Sequence, residues 1–405
     1  MSVPASRYAV VGPEIVVGDA ILSQHALLIN GAEIAAVLPH AQLPSDVPVQ
    51  HVAGAYLIPG LVDIHIHGAA GIGYDQIEKD PVPHIGAHLL DNGITTVLPT
   101  LASAPVPHLT AALEHIAARA SDAVQNHESP RIPGTHLEGP YFSPAQAGAQ
   151  DLAALHEPTK GSVAEILEHR DAIAMMSFAP ELPGAVGLTK RLVEAGIIAA
   201  AGHTDGTAAD LAACQEVGLS HVIHIFSGQS TTRREGAWRV PGMLEATLAS
   251  DDLTVEIIAD GKHLPPELMK IADRALRGRL CAVSDATSGA GLPDGAQYQM
   301  GDLSYKVEDG VGMTLDGASF GGSTTLISQM LPLLHRVLGL SIPQAVAMVT
   351  AIPARAARLK KLGTLEAGKL ADLCVLDANL EPLAVALGGE WLTPNMAPNN
   401  EKGAS

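Results

Sequence analysis

The middle of the chain alternates short apolar runs with segments of helical period. The apolar runs are LVDIHIH, ITTVLPT, IPGTHLEG, IAMMSFAP, IIAAAGHT, HVIHIFS, VEIIADGKH and LCAVSDAT, eight in all. Short apolar runs of this kind suit strands buried on both faces of a parallel sheet. Helical patterns separate most of them, among them HIGAHLLDNG, VPHLTAALEHIAARA, SVAEILEHR, LTKRLVEAG, GTAADLAACQEVG and PPELMKIADRAL. Strands alternating with helices predict an α/β fold. Eight such units closing on themselves make a (β/α)8 TIM barrel, which takes about 250–300 residues.

The two chain ends carry a different pattern. YAVV, EIVVGDAILS, HALLIN and EIAAVL are short runs with β-branched residues, and Asn30-Gly31 is a hairpin turn signal. Near the other end, LGTLEAGKLADLCVLD repeats the strand–turn–strand character. The expectation is a small β-sandwich built from both ends, residues 1–58 with 360–385, flanking a barrel over 59–359. The Pro-, Asn- and Gly-containing residues 386–405 are expected to form a loose tail.

Composition sharpens this outline. In 405 residues, 47% are hydrophobic and only 3% aromatic, so the core is aliphatic. The formal net charge of −19 disfavours nucleic acid and anionic membrane as partners, because both require a basic face. It leaves room for an anionic small molecule met by a local cationic pocket. The three cysteines, Cys214, Cys281 and Cys374, are far apart and show neither a disulfide framework nor a zinc-knuckle spacing. Neither a leader segment nor a membrane span is read, so a cytoplasmic location is expected.

Polar residues recur where the candidate strands end. The first ends in His65-x-His67, the third in Glu138, the fifth in His203, and the sixth in His224. The seventh ends in Asp260 and His263, and the eighth in Asp285. In a barrel the strand C-termini meet at one mouth, where active sites sit. Imidazole and carboxylate suit Zn²⁺ or a similar divalent ion, which can generate hydroxide near neutral pH and polarise a carbonyl. His65 and His67, two apart on a strand, leave the same face. With five candidate ligands, a two-ion site bridged by Glu138 is open beside a one-ion site. Asp285 is placed to take a proton from water and return it to a leaving nitrogen. His263 is a donor to a substrate carbonyl.

Each residue also has an ordinary structural role available. Glu138 can serve a turn before Pro140, Asp285 can cap a helix, and an isolated histidine is commonly core or surface. His84, His88, His108, His115, His127 and His156 fall in helical or loop segments and are assigned no chemistry. The joint pattern, with ligands at the ends of strands 1, 3, 5, 6 and 8, points to a metal-dependent hydrolase.

These residues and their flanking motifs resemble the amidohydrolase superfamily, and within it the N-acetylglucosamine-6-phosphate deacetylase branch. PGLVDIHIHG, GTHLEGPYF, AAGHTDGT, IADGKHL, VSDATSGAGLP, GGSTTLI and GTLEAGKLADLCVLD carry the resemblance over nearly the whole chain. It implies a deacetylase of an N-acetylated amino sugar 6-phosphate. Glu138, His203 and His224 are implied as primary metal ligands, Asp285 as general base and then acid, and His263 as a contact to the substrate. One or two divalent ions per subunit are implied, with Zn, Fe, Mn and Co all compatible with N/O ligands. A homodimer is also implied, with the loop from Thr231 to Arg239 able to reach a neighbouring subunit.

The chain departs from the branch in its substrate motifs. Where the family reads F-N-A-M, this chain reads Phe226-Ser227-Gly228-Gln229-Ser230. The arginine expected to hold phosphate has its best counterpart in Arg239, with Arg233 and Arg234 as alternatives. Where the family has a histidine near the sugar hydroxyls, this chain has Gln150. Ser227, Gly228, Gln150, Arg239 and His263 are therefore the substrate-contact expectations. A second reading keeps the metal and changes the bond, to another amide, a cyclic amide or a deamination. A third is a barrel that binds ligand without catalysis.

Overall fold

The computed structural model describes residues 7–300, 303–317 and 319–392. Its centre is an eight-stranded parallel sheet whose strands neighbour one another in chain order. They are β1 (Leu61–Ile66), β2 (Ile94–Leu101), β3 (Thr135–Glu138), β4 (Ile173–Phe178), β5 (Ile198–Ala201), β6 (His221–Val222), β7 (Thr254–Ile258) and β8 (Leu280–Val283). The ring closes just past β8: the Asp285 N–H donates to the His65 carbonyl at 2.9 Å, and the His67 N–H to Ala286 at 2.8 Å. All eight expected strands are present.

The strands are buried almost throughout because both of their faces are covered. All six residues of β1 and all eight of β2 are buried. Outside them lie α1 (Pro81–Asp91), α2 (Val106–Gln125), α3 (Lys160–Glu168), α4 (Ala185–Glu194), α5 (Ala208–Gln215), α6 (Met243–Ala249), α7 (Pro266–Leu276) and α8 (Ile327–Leu338), one after each strand. α7 shows why these segments are helical. Met269, Ala272, Asp273 and Leu276 are its buried residues, spaced three and four apart, so one stripe faces the barrel. Among the described residues no helix is long and apolar enough to cross a membrane.

The chain ends form two packed sheets. One orders Glu33–Pro39, His25–Asn30, Tyr8–Val11 and Val49–His51. The other orders Glu390–Trp391, Pro382–Leu387, Leu373–Leu376, Tyr56–Pro59, Glu14–Val17 and Ala20–Leu22. Tyr8, Val10, Leu27 and Ile29 of the first share one core with Ile15, Leu57, Leu373 and Val375 of the second, so the sheets form a sandwich. Asn30-Gly31 does turn a hairpin, with Asn30 paired to Glu33 and Gly31 at φ +63.

Two features depart from the sequence reading. The loose tail starts too early at 386, because Ala386 and Leu387 are buried in the strand Pro382–Leu387 and Gly388-Gly389 turn the chain into Glu390–Trp391. Trp391 Nε1 donates to Gln50 at 2.9 Å, and Tyr8 Oη donates to the Gly389 carbonyl at 2.7 Å. Residues 393–405 of that expected tail lie outside the described residues. A four-stranded antiparallel sheet, Gln297–Met300, Leu303–Glu308, Val311–Thr314 and Phe320–Ser323, also stands between β8 and α8. Asp309-Gly310, at φ +52 and +76, is its hairpin signal. This sheet carries Met300 and Phe320 over the barrel mouth.

Candidate active site

The eight strand ends bring the predicted residues together. His65 lies within β1 and His67 just after it. Glu138 ends β3, while His203, His224, Asp260 and Asp285 each sit two residues beyond their strands. His203 and Asp285 adopt left-handed backbone, at φ +42 and +46. Such a conformation costs a non-glycine residue roughly 1–3 kcal/mol and persists only where neighbours enforce it. Here the His203 carbonyl is held by Ser143 N–H and the Asp285 carbonyl by Ser323 N–H, each at 2.9 Å. The fold thereby turns both side chains inward.

Glu138 is the hub. Its Oε1 lies 2.9 Å from His224 Nε2, 3.1 Å from His203 Nε2 and 3.6 Å from His65 Nε2. Its Oε2 lies 3.3 Å from His67 Nε2. Asp285 Oδ1 faces the same two β1 histidines, at 3.2 Å from His67 Nε2 and 3.5 Å from His65 Nε2. Glu138 thus faces imidazoles and does not serve a turn, and Asp285 caps no helix, since α8 begins at Ile327.

This donor set fits divalent cations. His65, His67 and Glu138 form one group of converging ligand atoms, and Glu138, His203 and His224 form another, each within 4.8 Å. The separations of 2.9–3.6 Å between these imidazole nitrogens and the Glu138 oxygens are short enough for the atoms to share a small divalent ion. His65 Nε2 is buried without a hydrogen-bond partner although it faces two carboxylates. Burial opposes charge on Glu138 and Asp285. Hydrogen bonds from His203 and His224 nonetheless hold Glu138 well below the usual carboxylate range, and the hydrogen bond from His67 lowers Asp285. Burial also depresses His67, but Asp285 and Glu138 outweigh it and raise that imidazole to about 9. The carboxylates therefore demand positive charge. A bound cation supplies it directly and leaves the imidazoles neutral as ligands.

The cavity above this cluster has a volume of about 130 Å³ and is lined by His67, Glu138, His203, His224, Asp285 and His263, with Gln150, Ser227, Gly228, Met300 and Phe320. His263 Nδ1 lies 2.7 Å from Asp260 Oδ2, and its ring lies against Phe320 with centroids 5.0 Å apart. Ser323 Oγ also donates to Asp260 Oδ2, at 3.1 Å. Burial lowers the His263 pKa, but Asp260 more than reverses this.

Gln150 is held by both ends: its oxygen accepts from Ser103 N–H at 2.8 Å and its amide donates to Glu138 Oε2 at 2.7 Å. That leaves one amide hydrogen for another acceptor.

The arginines stand apart. Arg239 is exposed on the hairpin formed by Arg233–Glu235 and Trp238–Val240 and donates to its own loop at Ala237, and it does not line the cavity. Arg233 pairs with Glu235 at 3.1 Å and borders a separate hollow with Asp205 and Ser230. The hairpin that carries Arg239 stands away from this cavity and leaves Trp238 79% exposed.

The sequence reading missed Glu256, a fully buried carboxylate on β7 that lies 2.8 Å from His65 Nδ1. A charge in the otherwise apolar VEIIA was its signal. It also missed the role of Asp260 as the partner of His263, for which the i, i+3 spacing in Asp260-Gly261-Lys262-His263 was available.

Comparison with known proteins agrees with the fold. Residues 56–401 match the model of the amidohydrolase family, and residues 7–57 that of the NagA composite domain. The chain belongs to the amidohydrolase family. It is a hydrolytic enzyme acting on carbon–nitrogen bonds. It is 30% identical over 325 residues to an N-acetylglucosamine-6-phosphate deacetylase of Vibrio furnissii, covering 80% of this chain and 79% of that protein. It is 29% identical over 371 residues to an N-acetylgalactosamine-6-phosphate deacetylase of Escherichia coli O157:H7, covering 91% and 95%. Its fold matches the N-acetylglucosamine-6-phosphate deacetylase of Pasteurella multocida with a TM-score of 0.87 and 25% identity, over 95% of this chain and 99% of that one. It matches a Mycobacterium smegmatis deacetylase variant, solved with N-acetyl-D-glucosamine-6-phosphate, with a TM-score of 0.86 and 29% identity, over 95% and 99%.

Proposed function

We propose that this enzyme removes the acetyl group from an N-acetylated amino sugar 6-phosphate, with N-acetylglucosamine 6-phosphate the first candidate. The observation that carries the reading is the convergence of four imidazoles on Glu138 and Asp285 in one small cavity, in a chain whose relatives bear that activity.

Glu138, His203 and His224 would hold a primary divalent cation, and His65, His67 and Glu138 a second. Zn²⁺, Fe²⁺, Mn²⁺ and Co²⁺ all suit these donors. Such a cation supplies Lewis acidity toward the acetamide carbonyl and toward water. Asp285 Oδ1 takes the proton of the attacking water. The water oxygen bonds to the carbonyl carbon, the carbon–nitrogen bond breaks, and Asp285 returns the proton to the departing nitrogen. His263 has its Nδ1 proton committed to Asp260, so as imidazolium it presents Nε2–H to the carbonyl oxygen and steadies the charge developing there. The free amide hydrogen of Gln150, the Ser227 hydroxyl and the Gly228 backbone are the sugar contacts. The products are acetate and the free amino sugar phosphate.

We assign the barrel to residues 59–359 and the sandwich to the two chain ends. The enzyme is a homodimer in this reading, with the Arg233–Val240 hairpin of a second copy bringing its arginines to the phosphate. The outward Trp238 supports it. Sedimentation of wild type against Trp238→Ala tests it, with dimer expected for the first and monomer for the second.

The altered Ser227-Gly228 and Gln150 motifs favour testing other amides alongside. Metal-loaded protein is offered N-acetylglucosamine and N-acetylgalactosamine, each with and without the 6-phosphate, together with a cyclic amide. A 6-phosphate is expected to raise kcat/KM at least tenfold. Turnover of the cyclic amide alone would overturn the substrate assignment while leaving the catalytic groups in place.

A further inference from the structure

Glu256 takes no part in the proposed reaction, yet it is a fully buried carboxylate beside the site. It stands on β7, fully buried, and its side chain crosses the barrel interior. Its Oε2 lies 2.8 Å from His65 Nδ1 of β1 and accepts the His224 backbone N–H at 3.2 Å. Its Oε1 lies 3.0 Å from His221 Nε2 of β6, whose other nitrogen is 2.7 Å from Thr254 Oγ1. One side chain thus holds a ligand of each cation group.

The donor roles follow from the chemistry. An ionised carboxylate oxygen only accepts, so His65 Nδ1 must carry the proton that joins it to Glu256. In the neutral ring this leaves the lone pair on Nε2, aimed between Glu138 Oε1 at 3.6 Å and Asp285 Oδ1 at 3.5 Å. A lone pair facing two carboxylate oxygens is repelled unless a proton or a metal cation stands between them, and a bound cation would take the proton's place. The opposite tautomer would put N–H where the ion must bind. A carboxylate behind a ligating imidazole fixes both the tautomer and the ring plane, and its loss costs about 10–100-fold in metal affinity or activity.

We propose that Glu256 is the positioning residue of the two-cation centre: through His65 it builds the His65/His67 subsite, and through the His224 backbone it ties that subsite to the His203/His224 one. This role rests on the proposed binding of two cations.

The test is metal content and affinity, measured by elemental analysis and chelator competition on reconstituted Zn²⁺ or Co²⁺ protein. Wild type is expected to hold two ions per chain. Glu256→Gln, which keeps the shape and an acceptor, is expected to hold one firmly and to bind the second at least tenfold more weakly. A purely packing role would lower the melting temperature and leave both ions bound with unchanged affinity, which overturns the proposal. A wild-type protein that holds one ion at saturating metal overturns the binding of two cations, and this role with it. Should Glu256→Gln fail to fold, the imidazole ¹⁵N spectrum of the loaded wild-type protein decides. His65 protonated at Nδ1 and metallated at Nε2 is the expected state, and protonation at Nε2 contradicts it.

Discussion

Gln150 donates its side-chain amide to Glu138 Oε2 at 2.7 Å, while Ser103 N–H, at 2.8 Å, fixes which end of the amide faces the carboxylate. The hub of the cation cluster is therefore aligned from outside the barrel, by a loop between β3 and α3. Gln150→Leu keeps the volume but strands the Ser103 N–H and frees Glu138 Oε2. We expect kcat to fall about 10–100-fold, as for other groups that orient a metal ligand, with the fold retained. Acetate release at saturating substrate, beside circular dichroism, checks this.

The Asp260–His263 pair sets an alkaline limit. With its Nδ1 proton donated to Asp260, His263 offers a proton from Nε2 only while it is the imidazolium. Burial pulls its pKa down and Asp260 pulls it up by more, so the folded value lies above the ordinary 6.5. Activity that needs this proton is present below that folded value and is lost as pH rises through it. Asp260→Asn removes the raising charge, so the alkaline limb of kcat/KM moves to lower pH. An unmoved limb would rule out His263 as the proton donor to the carbonyl oxygen.

Those two relationships also mark what was legible in the sequence. The eight strands were readable because a parallel strand covered on both faces becomes a short, mostly apolar run, as in the uncharged Ile94–Leu101. The site was readable because a barrel delivers residues such as Glu138 and His224, 86 positions apart, to one place once their strands are known. What escaped depended on distance across the barrel or on direction. That Glu256 on β7 would meet His65 on β1 follows from neither neighbour in the chain. The Arg239 hairpin carries suitable chemistry, but only the fold shows that it points outward. The Gln297–Ser323 sheet was passed over because its strands are short and half polar, with turn signals such as Asp309-Gly310 left unused.

The sandwich is fastened to the barrel by a forked ion pair. Arg131, just ahead of β3, places Nε 2.6 Å and Nη2 3.0 Å from the two oxygens of the buried Asp372, which also accepts the Gly388 N–H at 2.7 Å. Asp372→Ala leaves a half-buried guanidinium and a backbone N–H without an acceptor. A loss of about 2 kcal/mol in unfolding free energy is expected, less than for a fully buried pair because water reaches Arg131. Urea denaturation of the metal-loaded protein measures it.

Cation removal should loosen the mouth of the barrel and leave its body intact. His65, His67, Glu138, His203 and His224 are all buried, and an ion that binds only the folded arrangement stabilises it by mass action. Dialysis against a chelator is expected to lower the melting temperature while preserving the far-ultraviolet spectrum. Readdition of Zn²⁺ or Co²⁺ should restore it.

The most direct measurement is acetate release from N-acetylglucosamine 6-phosphate by wild type and Asp285→Asn, with bound metal quantified in both. The expected result is turnover by wild type, equal metal content in the variant, and a kcat reduced by about 10²–10⁴-fold. Acetate release by the variant at the wild-type rate, or none by the fully loaded wild type from any N-acetyl amino sugar phosphate, would contradict deacetylation driven by Asp285.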